Sequence, residues 1–358
     1  MRWAAANELR TDYDLTTGDA DALIENAATN LWADPEDATK WNKSQVDVVE
    51  NVGVDPEGGL TLDRIVPTTT SSAHYTSRIV SSVAAGQRCA FSLFSREDGY
   101  RYLRLSGAAP VFSDAEGRLA AFDLQTGTVT GTQGSVTAKI ENVGGGLYRC
   151  QMSMTAIATG TGGHAAAVNN APGTGLATFI GDGVSGIQMG YAQFEVGPVA
   201  TSYTRVPRAA DIVSAATGGF QFNPTEGTLY VECIHLTTPS SGTAGLAALD
   251  GAGGSTIRIR HGQVITGADF YVQKDGAGQV DTGSFAVVLG ALTKYAYAYK
   301  ADDFAFCRNG AAVLTDSSGQ VPTVSSLVLS ASTVATRIRR MIYYPRRLSN
   351  AELQAMTS

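Results

Sequence analysis

Along most of the chain, apolar and polar residues alternate with a period of two in short runs broken by Gly, Pro, Asn and Asp. The runs GTLYVECIHLTT, STIRIRHGQ, ADFYVQKDG and KYAYAYK have the spacing of strands with one buried face. That period sets Ile257 and Ile259 on one side of their strand and Arg258 and Arg260 on the other. It likewise groups Tyr295, Tyr297 and Tyr299 on one face, opposite Ala296 and Ala298. Nearer the N-terminus, HYTSRIVSSV, QRCAFSLFSR, YRYLRLS and the stretch from Phe122 to Ile157 read as strand, turn, strand. Asp55 to Gly59 (DPEGG) is a turn signal, and Glu97 to Gly99 (EDG) predicts a hairpin between the strands on either side of it. A single short helix is expected at the C-terminus, where Ser349 is an N-cap with Glu352 three residues on, the capping-box spacing. The fold class is therefore all-β with a short C-terminal helix.

Length and composition turn this pattern into two domains. The chain is long enough for two ordinary cores, and 16% charged residues with 40 Gly and 11 Pro suit many short strands and turns. The seam is placed in Gln193 to Ser214, because Pro207 fixes its own φ and pushes Val206 towards extended backbone, so that a strand can leave one sheet without becoming a helix. The expected division is a polar, turn-forming lead-in over residues 1–30, a first β domain over 31–205 and a second over 206–358.

A formal net charge of −7 argues against a nucleic-acid partner, and Arg337 to Arg340 (RIRR), the densest basic cluster, is partly explained by strand alternation. No apolar run has the length of a membrane span, so membrane insertion is not expected, and the N-terminus lacks the apolar core of a signal peptide. Cys89, Cys150, Cys233 and Cys307 are far apart and each sits in a strand-like run; buried reduced thiols are the main expectation, with pairing of Cys89 with Cys150 or Cys233 with Cys307 left open.

Catalytic and cofactor motifs are missing. There is no H-E-x-x-H, no G-x-S-x-G and no P-loop, and His74, His164, His235 and His261 are isolated in sequence. Gly181 to Gly186 (GDGVSG) matches G-x-G-x-x-G as a string, yet a strand-like run follows instead of the helix that would hold a pyrophosphate. Asp12, Asp14, Asp19 and Asp21 lack the glycine and closing Glu of a helix-loop-helix calcium site, so the segment reads as a solvated turn.

Several stretches, in order, resemble the carbohydrate-binding-like jelly roll of phage and gene transfer agent head-spike and tail-fibre proteins. They are Tyr13 to Gly18, Ile24 with Glu25, Thr29 to Leu31, Trp41 to Ser44, Ala90 to Arg96, Phe122 to Gly127 and Gly146 to Cys150. Gly181 to Gly186, the Gln193–Phe194–Glu195 triplet, Ala200 to Tyr203 and Arg208 to Asp211 continue the series, with Phe179 and Met189 departing from the usual aromatics. Towards the end, Tyr299 to Phe304, the Asn309–Gly310 pair and Arg337 to Leu353 resemble a concanavalin A-like, or laminin-G-like, sandwich. The resemblance implies two tandem β-sandwich (jelly-roll) domains in a virion surface protein, assembled in the bacterial cytoplasm, that binds host capsular or envelope polysaccharide. It further implies a homo-oligomer joined to other virion proteins through its N-terminal segment. No cofactor is expected, and a structural calcium ion stays open.

Sugar binding needs aromatic faces to stack on pyranose rings and a few polar groups for the hydroxyls. The candidates are Tyr100, Arg101 and Tyr102 in the first domain, and Arg258, Arg260, Tyr295, Tyr297 and Tyr299 in the second. The tyrosines would equally suit a sandwich core or a subunit contact. Glu232, alone in its strand, does not make the paired carboxylates of a sandwich hydrolase, so a non-enzymatic role is expected, with a depolymerase or a ligand-free spacer as alternatives.

Overall fold

A computed structural model describes residues 11–13, 20–25, 27–237, 243–262, 267–330 and 335–358. The chain divides into two compact units: Ala28–Arg208, here the middle unit, and Met1–Ala27 with Ala209–Ser358, here the terminal unit. Among the described residues, each unit is built from two antiparallel sheets with apolar side chains between them. The all-β fold follows from the period of two, which turns alternate side chains to opposite sheet faces; in strands such as Leu119–Asp123 and Leu292–Lys300 both faces are buried.

In the middle unit one sheet runs, in spatial order, Thr128–Thr132, Leu119–Asp123, Tyr102–Ser106, Gly160–Asn169, His74–Val83 and Asn42–Ser44. The other runs Thr137–Gly144, Leu147–Thr155, Arg88–Asp98, Gly186–Val196, Leu60–Pro67 and Val46–Val54. Trp32 lies stacked on Phe91 with ring centroids 4.9 Å apart and edge-on to Trp41 at 5.2 Å, inside a core that also holds Leu103, Leu105, Phe112, Phe122 and Phe194.

The expected hairpin at Glu97 to Gly99 does not form. Arg88–Asp98 pairs with Leu147–Thr155 and Gly186–Val196 in one sheet, whereas Tyr102–Ser106 pairs with Leu119–Asp123 and Gly160–Asn169 in the other. The turn carries the chain across the sandwich. Gly99 has φ +100, and a Cβ there would lie 2.4 Å from that of Ser185, so the crossover needs glycine at this point.

In the terminal unit, Thr11–Tyr13, Ala20–Ile24, Thr336–Tyr344, Glu226–His235, Leu292–Lys300, Phe304–Arg308 and Leu314–Asp316 form one sheet. Ile212–Ala216, Ser326–Ser330, Thr243–Asp250, Thr256–Gly262, Gly267–Lys274 and Ala277–Ala286 form the other. The lead-in expected over residues 1–30 is thus corrected where it is described. Ala20–Ile24 pairs with Thr336–Tyr344, Ile24 is buried in the core, and Asp211 accepts a hydrogen bond from the Glu25 amide at 2.8 Å. The strand covers the backbone edge of Thr336–Tyr344, and Thr11–Tyr13 pairs on its far side. Of the turn at Tyr13 to Gly18, everything past Tyr13 lies outside the described residues. At the other end Ser349 and Glu352 make the expected capping box and open the helix Asn350–Thr357.

Candidate functional site

The tyrosine platform proposed for the second domain is core. Tyr295, Tyr297 and Tyr299 are fully buried, Tyr297 stacking on Phe270 at 4.9 Å and Tyr295 on Phe306 at 5.8 Å. Their hydroxyls are satisfied internally: Tyr297 donates to the Ile257 carbonyl at 3.4 Å, Tyr295 meets His235 Nε2 at 3.1 Å, and Tyr299 meets Tyr343 at 2.9 Å. Burial drives all three phenols well above their ordinary pKa. Alternation alone cannot say which face meets the opposite sheet, and here both faces are buried: the rings lie between the sheets, while Ala296 and Ala298 pack in a second cluster with Leu348 and Leu353. Tyr297→Ala should cost about 3–5 kcal/mol in chemical denaturation, Tyr297→Phe much less, and neither should change binding to any surface ligand.

Tyr100, Arg101 and Tyr102 do lie together, but largely satisfy one another. Tyr100 is half-buried against Phe179, ring centroids 5.4 Å apart, and burial raises its pKa. Arg101 grips Asp123 with Nε to Oδ1 at 2.7 Å and a second contact from Nη2, and its guanidinium lies 5.2 Å from the Tyr102 ring. That arginine holds the Asp123 carboxyl well below the usual range, the mark of a committed ion pair.

Arg258 and Arg260 project from the sheet face opposite Ile257 and Ile259, as the alternation requires, since both isoleucines are fully buried. The register of the Thr256–Gly262 and Gly267–Lys274 strands places Tyr271 directly across from Arg258. The Arg260 guanidinium stacks 3.7 Å from the Tyr271 ring centroid and that of Arg258 lies at 5.8 Å. Arg260 is further held by buried Asp269, Nε to Oδ1 at 3.0 Å. Arg258 is different: among the described residues its buried Nε has no hydrogen-bond partner. Small residues flank the group, for a Cβ added at Gly245 would meet Arg258 Cδ at 3.6 Å and one at Gly278 would meet Tyr271 Oη at 3.3 Å. Tyr271 was missed in the sequence, although ADFYVQKDG alternates visibly; only the pairing register shows what it faces.

Other motifs have internal roles. Glu195 accepts from Gln193 Nε2 at 2.7 Å, from the Thr201 amide at 2.7 Å and from Thr201 Oγ1 at 2.8 Å, while Gln193 Oε1 accepts from the Thr204 amide at 2.8 Å. The Gln-x-Glu triplet and the Ala200 to Tyr203 element are thus two halves of one buried clamp. In Gly181 to Gly186, Asp182 accepts the Val184 and Ser185 amides at 2.9 and 2.8 Å, and Gly186 opens a strand, so no helix terminus is offered to a phosphate. All four cysteines are buried free thiols, and burial raises the pKa of Cys89, Cys150 and Cys233. Glu232 sits beside Arg340 of the neighbouring strand. Among the described residues no three His, Cys, Asp or Glu side chains are grouped to hold a metal ion.

No protein-family profile and no curated protein matches the chain. Solved structures similar to part of it include the carbohydrate-binding module CBM40 of a Ruminococcus gnavus sialidase bound to α2,3-sialyllactose, at 19% identity and TM-score 0.31, covering 38% of this chain and 84% of that one. Another is the carbohydrate-binding module CBM66 from Bacillus subtilis, at 9% identity and TM-score 0.27, covering 38% and 84%. A third is an alginate lyase of Pseudomonas aeruginosa, at 11% identity and TM-score 0.27, covering 40% and 76%. The sandwich architecture itself rests on the strand pairing described above.

Proposed function

We propose that the chain is a non-catalytic, carbohydrate-binding spike or fibre subunit on the surface of a phage or gene transfer agent particle, which attaches the particle to host capsular or envelope polysaccharide. The observation that carries the binding reading is the Arg258–Tyr271–Arg260 group on an outward sheet face. Tyr271, packed against two guanidinium groups, offers a rigid ring to a pyranose, and the terminal nitrogens of Arg258, which make no hydrogen bond among the described residues, are available to its hydroxyls. Because Arg260 is already fixed by Asp269, little side-chain entropy remains to be lost on binding. The virion setting rests on the resemblance of the ordered motifs; self-association and contacts with other particle proteins belong to the same proposal, and no cofactor is needed.

Purified protein should adsorb to encapsulated cells and not to the same cells stripped of capsule, without releasing reducing ends. Arg258→Ala and Tyr271→Ala should each weaken adsorption about tenfold or more, as the loss of a hydrogen bond to a charged group or of a stacked ring would. Equal adsorption to stripped cells, or undiminished adsorption by both variants, would defeat the reading.

A further inference from the structure

Arg104 lies in the middle of the Tyr102–Ser106 strand, on the face opposite core residues Leu103 and Leu105, yet it is only 7% exposed. Directly across from it stand Ala121 and Ala167, small residues on the two neighbouring strands, with Gly131 and Tyr75 one strand further out on either side. The segment 170–177 straps over this face. Thr174 accepts from Arg104 Nε at 2.7 Å, Gly175 accepts from Asn169 Nδ2 at 2.7 Å, and the Gly173 amide donates to Thr130 Oγ1 at 3.3 Å.

The charges here do not balance. Among the described residues no carboxylate pairs with Arg104, and its two terminal nitrogens have no hydrogen-bond partner. The nearby cation Arg118 already holds the local carboxylate, Asp114, with Nε to Oδ1 at 2.8 Å, and donates from Nη1 to the Gly107 carbonyl at 3.0 Å. Two guanidinium groups thus share one carboxylate. Loss of water, with a further push from Arg118, lowers the Arg104 pKa to about 10, so the side chain is still cationic at neutral pH. A buried cation is ordinarily paired, and a planar fork with two open N–H groups matches a carboxylate's two oxygens.

We propose that Arg104 and the 170–177 strap form an anion subsite that takes the carboxylate of an acidic saccharide. The choice of a saccharide rests on the carbohydrate-binding reading above and on Tyr102 and Tyr75, which are half-buried on the same sheet face. The subsite is independent of Arg258 and Tyr271, which belong to the other unit.

Calorimetric titration of the full chain with sodium glucuronate and sodium galacturonate tests this, with glucose and galactose as uncharged counterparts and sodium acetate and sulfate as bare anions, all at one ionic strength. The uronates should bind, and glucose and galactose should bind at least tenfold more weakly. Arg104→Gln should weaken uronate binding tenfold or more, and Arg104→Lys, which keeps the charge but not the fork, should fall between. Without sugar, Arg104→Gln should melt no lower than the parent, since it removes a buried cation that has only a share of the Asp114 charge; a lower melting point with unchanged uronate affinity would make Arg104 a strap anchor only. Uronates binding no better than neutral sugars would overturn the subsite, and acetate or sulfate binding as tightly as the uronates would overturn its saccharide assignment. If these fail while capsule-dependent adsorption through Arg258 and Tyr271 survives, the subsite falls alone.

Discussion

Lowering the pH from 6.5 to 5 should destabilise the terminal unit by about 2 kcal/mol through His235 alone. His235 is fully buried, and desolvation, with a smaller push from His261, lowers its pKa from the ordinary 6.5 to about 3. Above 6.5 the folded and unfolded states are both neutral at this site; below it the unfolded chain takes a proton that the folded chain refuses. Stability is therefore lost progressively from pH 6.5 down to about 3. Burial lowers the His261 pKa as well, which adds to the loss. His164, wedged between Phe112 and Phe194 in the middle unit, is also held down to about 3 by burial. In that unit, however, burial raises the pKa of Glu195 and Asp63, so the folded state takes up their protons first and part of the loss is offset. Between pH 7 and 5, above the range in which the depressed Asp123 and Asp55 carboxyls cost the middle unit stability, the terminal unit should thus be the more acid-sensitive of the two. Scanning calorimetry at pH 7 and pH 5 checks this, and His235→Gln should flatten the pH dependence even where it lowers the melting point. An unchanged slope in that variant would refute the assignment.

Glu195→Leu should destabilise the middle unit by about 3–5 kcal/mol, among the largest effects of any single replacement there. The carboxylate is 1% exposed and accepts three hydrogen bonds from Gln193 and Thr201. Arg149, 2% exposed, donates from Nη2 to Ser92 Oγ at 3.0 Å and to the Thr201 carbonyl at 2.5 Å, and its charge acts on Glu195. Removing the carboxylate strands the Thr201 amide and leaves a buried arginine without that countercharge. Glu195→Gln keeps one acceptor oxygen and should cost about 1–3 kcal/mol. Trp32 and Trp41 sit in the same core, so tryptophan fluorescence during urea unfolding reads the loss directly. Both variants should still adsorb through Arg258 and Tyr271 at temperatures where they remain folded; a midpoint unmoved by Glu195→Leu would show the clamp to be dispensable.

The strands, the opposed faces of Ile257 and Arg258, the inert cysteines and the Ser349 cap were all legible in the sequence, because each depends on residues within a few positions of one another. The period of two divides a strand into two faces, and a capping box spans three residues. Five features were not legible. The burial of Tyr295, Tyr297 and Tyr299 depends on which face meets the opposite sheet, and alternation is symmetric in that respect. The change of sheet at Gly99 depends on which strands pair. So do the joining of Ala20–Ile24 to a strand more than 300 residues away, the stacking of Tyr271 with Arg258 and Arg260, and the strap that closes over Arg104. Local sequence therefore determined what each segment is, while tertiary structure decided what it touches, because strand register and sheet membership are settled by hydrogen bonds and burial between residues far apart in the chain.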